Sequence, residues 1–379
     1  MINEQSTSNL ADSAPATRAQ REVITYVMHN GVLLPLSKRI DHIWDFRPYL
    51  EMGSKDATTY VINWTTVPST WVESLKDVID AYWVHGIPGV AAPKPPSVLG
   101  FFSSLRRFAK FLYKYGVHSF SEVTGIHFSQ YIQSIKRRKS NYQAQVLIAV
   151  EKVYLLRPYI SDCYLEHPWP GQTACGIAQF YQGMQEQLET PYIPLEIATK
   201  LHQSAWAFLA KSENYFNALK ISLDIDQKYN SASTSTRLRR RRAALRELGM
   251  TVADVENYFS LMPIACYVLI ALHSGMRISE ISSLSIGAYS ETQHEGETIG
   301  WLHGFTFKSN PRSTEWMINL DVGRFVISKL EQYASLHHHN VDSRILELEL
   351  TLRSSEAEQA SKAAELHVMK LAKNKLFIQ

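Results

Sequence analysis

Apolar residues recur along most of this chain at the three- and four-residue spacing of an α-helix with one buried face. Trp71, Leu75, Val78, Ile79 and Tyr82 give the first such stripe, with Ser69 and Thr70 placed to cap it. Pro93, Pro95 and Pro96 read as a break. A second helix follows over Phe101 to Tyr115, with Phe101, Leu105, Phe108 and Leu112 on one face and Arg106, Lys110 and Lys114 on another. Further helices are predicted at Thr124 to Ser134, Gln143 to Leu156, Leu195 to Lys211 and Tyr258 to Leu272, and from about residue 320 to the end. Strand-like runs are fewer. Val23 to Val27 and Thr58 to Thr66 are β-branched and aromatic, with turn residues at Asn30-Gly31 and Gly53-Ser54 between them. Thr298 to Lys308 and Ser313 to Leu320 predict a hairpin turning at residues 309–312.

The expected fold is therefore mainly α with a small β component. A length of 379 residues favours two domains and a tail, at about 150 residues per domain. Residues 1–20 are small and polar and read as a disordered tail. A short β-containing arm is expected over 21–66 and a helical bundle over 67–165. The Pro, Gly and Thr cluster from Pro168, continuing to Thr190-Pro191 and Pro194, marks a boundary. A second domain is expected over 188–379, carrying a polar, basic surface insertion over 226–250.

Composition adds exclusions. Hydrophobic residues are 45% and charged residues 20%, an ordinary globular balance. Cys163, Cys175 and Cys266 are scattered without a C-x-x-C pair, so a reducing cytosol is the expected compartment and neither disulfides nor zinc are expected. Met262 to Leu272, the longest apolar run, is shorter than the roughly 20 residues a bilayer requires, and no signal-like segment opens the chain.

The net charge of +3 conceals an uneven distribution. Between Ser97 and Ser140 stand Arg106, Arg107, Lys110, Lys114, Lys136, Arg137, Arg138 and Lys139 against one acid, Glu122, a local balance of +7. A second run holds Arg237, Arg239, Arg240, Arg241, Arg242 and Arg246. Such runs are either solvated faces or phosphate-contacting surfaces, and both readings stand here. His337-His338-His339 lacks the companion spacing of a metal site and reads as solvated.

The chemistry concentrates in LIALHSGMRISEISSL, residues 269–284, where an apolar helix runs into Ser274-Gly275, then Arg277 and Glu280, then Ile281 and Leu284 of another apolar face. Glycine permits a tight turn, and a planar guanidinium grips two phosphate oxygens at once, as an ammonium cannot. An i,i+3 surface ion pair is the plainer reading of Arg277 and Glu280. The segment resembles box I of the tyrosine recombinase (phage integrase) family, whose Gly-x-Arg-x-x-Glu pattern is matched by Gly275, Arg277 and Glu280. The resemblance implies that Arg277 is the first catalytic arginine. Lys308, 31 residues on at the end of the first hairpin strand, is similar in placement to the family's catalytic lysine, which protonates the leaving 5′-hydroxyl. Residues 97–154 resemble the family's helical core-binding domain, and the likeness extends over roughly 67–335.

What the resemblance implies is a helical core-binding domain followed by an α+β catalytic domain, acting in DNA integration or recombination of a mobile element. Duplex DNA is the implied partner, with self-association on it, and with no membrane, small-molecule substrate, metal or other cofactor. Arg106, Arg107, Lys110, Lys136, Arg137, Arg138 and Lys139, with Arg239, Arg240 and Arg241, are the expected DNA contacts. The chain also departs from the family. The family pattern continues with a His-x-x-Arg box and a nucleophilic tyrosine. Here His337, His338, His339 and His367 are followed at i+3 by Asn340, Val341, Asp342 and Lys370, and the last tyrosine is Tyr333. The expectation is a catalytic domain incomplete at its C-terminal side. Three functions stay open: a recombinase-type DNA protein, a catalytically inactive DNA binder occupying recombination sites, and a helical scaffold without nucleic acid.

Overall fold

The computed structural model describes residues 22–50, 57–180, 193–306, 312–354, 359–373 and 375–377. It is mainly helical with small antiparallel sheets, and it divides into two compact units. Of the described residues, the first unit holds 22–50, 57–180, 348–354 and 359–368, and the second holds 193–306, 312–347, 369–373 and 375–377.

In the first unit, β1 (Val23–His29) and β2 (Val32–Lys38) form a hairpin. Its two turn residues, Asn30 and Gly31, both take positive φ, at 49° and 79°. Those values suit the primed turn that matches strand twist, as an Asn-Gly pair predicts. β3 (Ile43–Asp45) pairs with β4 (Val61–Asn63). The strand expected over Thr58 to Thr66 is cut to β4 alone. A 3-10 turn precedes it, and another follows over Trp64–Thr66, where the Asn63 side chain accepts the Thr65 N–H at 3.0 Å and stops the ladder.

Helix α1 (Val72–His85) buries the predicted Leu75, Val78, Ile79 and Tyr82, and Trp71 is buried just before it. Ser69 and Thr70 lie in a 3-10 turn leading into the helix, and neither supplies a side-chain cap. Helix α2 (Pro95–Tyr113) begins earlier than expected, because Pro95 and Pro96 occupy its first turn, where no N–H is needed. Helices α3 (Gly125–Ile135), α4 (Ser140–Leu155) and the short α5 (Ala174–Ile177) complete the bundle.

The β-containing segment shares one hydrophobic core with the helices. Trp64 of that segment meets Trp44 at 4.7 Å and Phe102 of α2 at 5.1 Å between ring centroids, both edge-on. Asp162 ties distant parts together, accepting from Ser74 Oγ at 2.6 Å and from the Phe120 and Ser121 N–H groups at 2.9 Å each.

The second unit begins with α6 (Leu195–Leu209), α7 (Ser212–Lys228) and α8 (Thr234–Glu247). The segment expected as a basic surface insertion, residues 226–250, takes in the end of α7 and the whole of α8, which starts after Ser233, whose hydroxyl accepts the Thr236 N–H. Helix α9 (Val252–Ser274) is long and apolar enough to cross a membrane by length and composition alone, 23 residues in all. One face, including Val255, Tyr258, Met262, Cys266 and Leu269, is buried in the core of the second unit, while Leu261, Ile264 and Leu272 stand exposed on another.

Short α10 (Ile278–Ile281) is followed by a three-stranded sheet in which β6 (Glu297–Thr306) lies between β5 (Tyr289–His294) and β7 (Arg312–Ile318). The β6–β7 pair is the predicted hairpin, pairing from Thr306 with Arg312 to Gly300 with Ile318. Helices α11 (Leu320–Ser354) and α12 (Gln359–Ala372) follow, with the end of α11 from Leu348 and α12 as far as Val368 belonging to the first unit, and the histidine triplet falls inside α11. Residues 1–20, the Gly53-Ser54 turn, Thr190-Pro191, Lys308 and the turn residues 309–311 lie outside the described residues.

Candidate functional site

Gly275 ends α9 in the left-handed conformation, φ 68° and ψ 11°, with its N–H bonded to the Ala271 carbonyl at 3.1 Å. No atom would meet a Cβ there within 4 Å, so the demand for glycine is conformational rather than steric. The chain then reverses into extended backbone at Arg277, which occupies the N-cap position of α10.

Glu280 organises the turn. Its carboxylate is buried, with a relative exposure of 3%, and accepts three hydrogen bonds. They come from the Arg277 N–H at 2.7 Å, Arg277 Nη1 at 2.8 Å and Thr306 Oγ1 at 2.9 Å. Burial works to raise its pKa. The hydrogen bonds from Arg277 and Thr306 and the nearby guanidinium outweigh burial and hold it below the ordinary glutamate range. Arg277 therefore has one nitrogen fixed by a buried carboxylate while 59% of its side chain stays in solvent. A guanidinium held at one edge keeps donors at the other for an anion. The sequence predicted this trio of Gly275, Arg277 and Glu280, and the structure brings all three into one turn.

Thr306 was not predicted and joins that turn to the end of β6. Ser283 strengthens the same junction: its hydroxyl donates to the Glu280 carbonyl at 2.6 Å and accepts the Phe305 N–H at 2.9 Å. Gly304 is required for this approach, since a Cβ there would stand 2.9 Å from Ser283 Oγ. Behind them, buried Lys375 donates to the Ser283 carbonyl at 2.9 Å, and Leu376 N–H bonds to the Leu284 carbonyl at 3.0 Å. Burial lowers the Lys375 pKa. A lone Thr at a strand end and a lysine 92 residues from its partner leave no periodic trace in sequence, so pattern reasoning had no means of finding them. Lys308 lies two positions past Thr306, outside the described residues.

The two tyrosines that follow the turn in sequence are engaged. Tyr289 donates its hydroxyl to Glu291 at 2.9 Å, and Arg324 grips the same carboxylate with two bonds of 2.7 Å. Burial and the Glu291 contact push the Tyr289 phenol up to about 12. Tyr333 stacks on Phe259 at 5.6 Å, and burial raises its pKa as well.

The first basic run is only partly free. Arg106 spends its guanidinium on Thr66 Oγ1 at 2.9 Å and lies over Phe102. Arg107 and Arg138 both approach the Tyr142 ring, at 5.5 and 6.0 Å. Gln143 Nε2 holds the intervening loop by donating to the Lys136 and Arg138 carbonyls. Arg107, Lys110, Lys136, Arg137, Arg138 and Lys139 are all exposed, so the structure gathers α2 and the α3–α4 loop into one basic surface about Tyr142.

In the second run, Arg240 stacks on Tyr229 at 4.1 Å and donates to its hydroxyl at 3.2 Å, while Arg241 faces Asp226 at 3.5 Å. These two predicted contacts are occupied within the α7–α8 hairpin. Arg239 is exposed.

No family model matches the chain, and neither a curated protein nor a solved structure does.

Proposed function

We propose that this chain is a DNA-binding protein of the tyrosine recombinase type, in which Arg277 grips a backbone phosphate. The observation that carries the reading is the turn itself. A glycine-capped helix end, an arginine at an N-cap and a buried glutamate bonded to both the arginine and a strand end make a rigid mount for one exposed guanidinium. Phosphate is the ligand best matched to a fixed guanidinium edge. The basic surface about Tyr142 supports the same partner, since exposed lysines and arginines on a helical bundle suit the backbone of duplex DNA. On this reading Lys308 is the proton donor to a leaving 5′-hydroxyl, as it is in the family the chain resembles.

The state of the tyrosines favours the second reading, a DNA protein that occupies its site without cutting it. Tyr289 spends its hydroxyl on Glu291 and Tyr333 is stacked on Phe259, so each is held within the fold and not presented to a phosphate. The test is incubation of the full chain with a nicked suicide duplex whose released strand prevents religation. Retention of the duplex without a denaturant-resistant adduct is expected, and Arg277→Lys weakens retention because charge is kept while the fork is lost. An adduct at Tyr289 or Tyr333 contradicts the non-cutting reading, and retention unchanged in Arg277→Lys contradicts the role of Arg277.

A further inference from the structure

Helix α8 carries six arginines, and its packing divides them. Leu245 is buried, and Leu238 and Arg241 are half-buried, which fixes the side of the helix that faces its own unit. Arg240 is held on Tyr229 and Arg241 by Asp226. Arg239, Arg242 and Arg246 are exposed at i, i+3 and i+7. That spacing puts them on one stripe about 10 Å long at 1.5 Å per residue. None has an ion-pair partner among the described residues, and the first turn of the helix contains no acid. The only residue between them on the stripe, Ala243, is exposed and small.

We infer that this stripe of α8 is a second DNA contact, in which Arg239, Arg242 and Arg246 neutralise backbone phosphates of a duplex without reading its sequence. The inference rests on the proposed function for the identity of the partner, but it concerns residues other than those of the Arg277 turn. Two features select duplex DNA among polyanions. The stripe has no large apolar side chain to insert into a lipid surface, as membrane-binding helices require. It has no aromatic ring on which unpaired bases stack, as single-strand binders do. The tethering of Arg240 and Arg241 fixes the phase of the helix, so the three free guanidiniums are presented together.

The experiment measures equilibrium binding of the full chain to a fluorescent duplex across a salt series. Each phosphate neutralised contributes about 0.9 to the slope of log affinity against log salt. Arg239→Gln/Arg242→Gln/Arg246→Gln should therefore lower the slope by about 2.7, and Arg242→Gln alone by about 0.9. Between about 50 and 200 mM salt, the wild-type affinity should fall about 40-fold more than that of the triple variant. Thermal melting followed by circular dichroism shows whether the triple variant folds, and Arg242→Gln decides the matter if it does not. Duplex binding with a slope unchanged in these variants overturns this inference and leaves the proposed function standing. No duplex binding by the wild-type chain overturns both. Loss of binding to phosphatidylserine-containing phosphatidylcholine vesicles, with the duplex slope unchanged, overturns duplex DNA as the partner of this stripe.

Discussion

Removing the Glu280 carboxylate tests the mount on which the functional reading depends. In Glu280→Gln the side chain keeps its shape, but one of its two ends becomes an amide that donates. In wild type one oxygen accepts from Arg277 Nη1 and Thr306 Oγ1, and the other accepts from the Arg277 N–H. Whichever way the amide is turned, its NH2 faces a donor. The Arg277 ion pair contributes little, about 0.5 kcal/mol, because the guanidinium is 59% exposed. The backbone N–H and Thr306 bonds to a buried carboxylate are stronger, and a buried donor left unpaired costs about 1–3 kcal/mol. Glu280→Gln should therefore cost about 1–3 kcal/mol, and Glu280→Ala, which also leaves a cavity, about 2–4 kcal/mol. Urea unfolding followed by tryptophan fluorescence reads this, with a midpoint shift of about 1 M for 2 kcal/mol at a typical slope of about 2 kcal/mol/M. The pH dependence supplies a second signature. The folded pKa of Glu280 lies below the ordinary 4.5, so its contribution is complete above that value and is lost as pH falls through the folded pKa. The gap between wild type and Glu280→Gln should thus narrow on acidification below about pH 4.5. A Glu280→Gln protein within about 0.5 kcal/mol of wild type at neutral pH, with a gap that ignores pH, would refute this account of the turn.

Other substitutions test the fold around it. Gly323→Ala places a Cβ 2.3 Å from Tyr289 Cε2, so overpacking of about 1–3 kcal/mol should exceed the helix-propensity gain of about 1 kcal/mol. Calorimetric melting should then show partial rescue in Tyr289→Ala/Gly323→Ala, and additive losses would deny the contact. Asp162→Ala removes the acceptor of three hydrogen bonds in the first unit and should lower stability by about 2–4 kcal/mol in chemical unfolding, with Asp162→Asn costing less. Cys266 is fully buried and its thiol pKa is raised by burial, so mass-spectrometric alkylation kinetics should show it reacting only as fast as the chain unfolds.

Much of this architecture was legible because helices that bury one face leave a period in the sequence. Trp71, Leu75, Val78, Ile79 and Tyr82 are spaced as a core face and are buried as one. The β6–β7 hairpin was legible for a similar reason, since turn-prone residues stand between two strand-like runs, whereas at Asn30-Gly31 only the turn and the run before it were legible and β2 was not. Local punctuation was harder to read, because one residue serves opposite ends of an element. Pro95 and Pro96 read as a break and instead open α2, and Asn63 ends a strand that composition would extend to Thr66. At the candidate site, Gly275, Arg277 and Glu280 lie within six positions and were visible together. Thr306, Ser283 and Lys375 meet them only through tertiary packing. The arginine run shows the limit clearly. Composition marks six cations, but the helix phase set by Tyr229, Asp226 and Leu245 decides that Arg239, Arg242 and Arg246 are free while Arg240 and Arg241 are engaged.

The central claim is that the chain holds duplex DNA through its phosphates, and equilibrium binding of the full protein to a short duplex across a salt series tests it most directly. The account predicts a readily measured affinity at about 50 mM salt that falls by at least a thousandfold by about 200 mM, as expected when six or more phosphates are neutralised. Absence of binding at the lower salt, or an affinity indifferent to salt, would contradict it and leave the helical scaffold as the better reading.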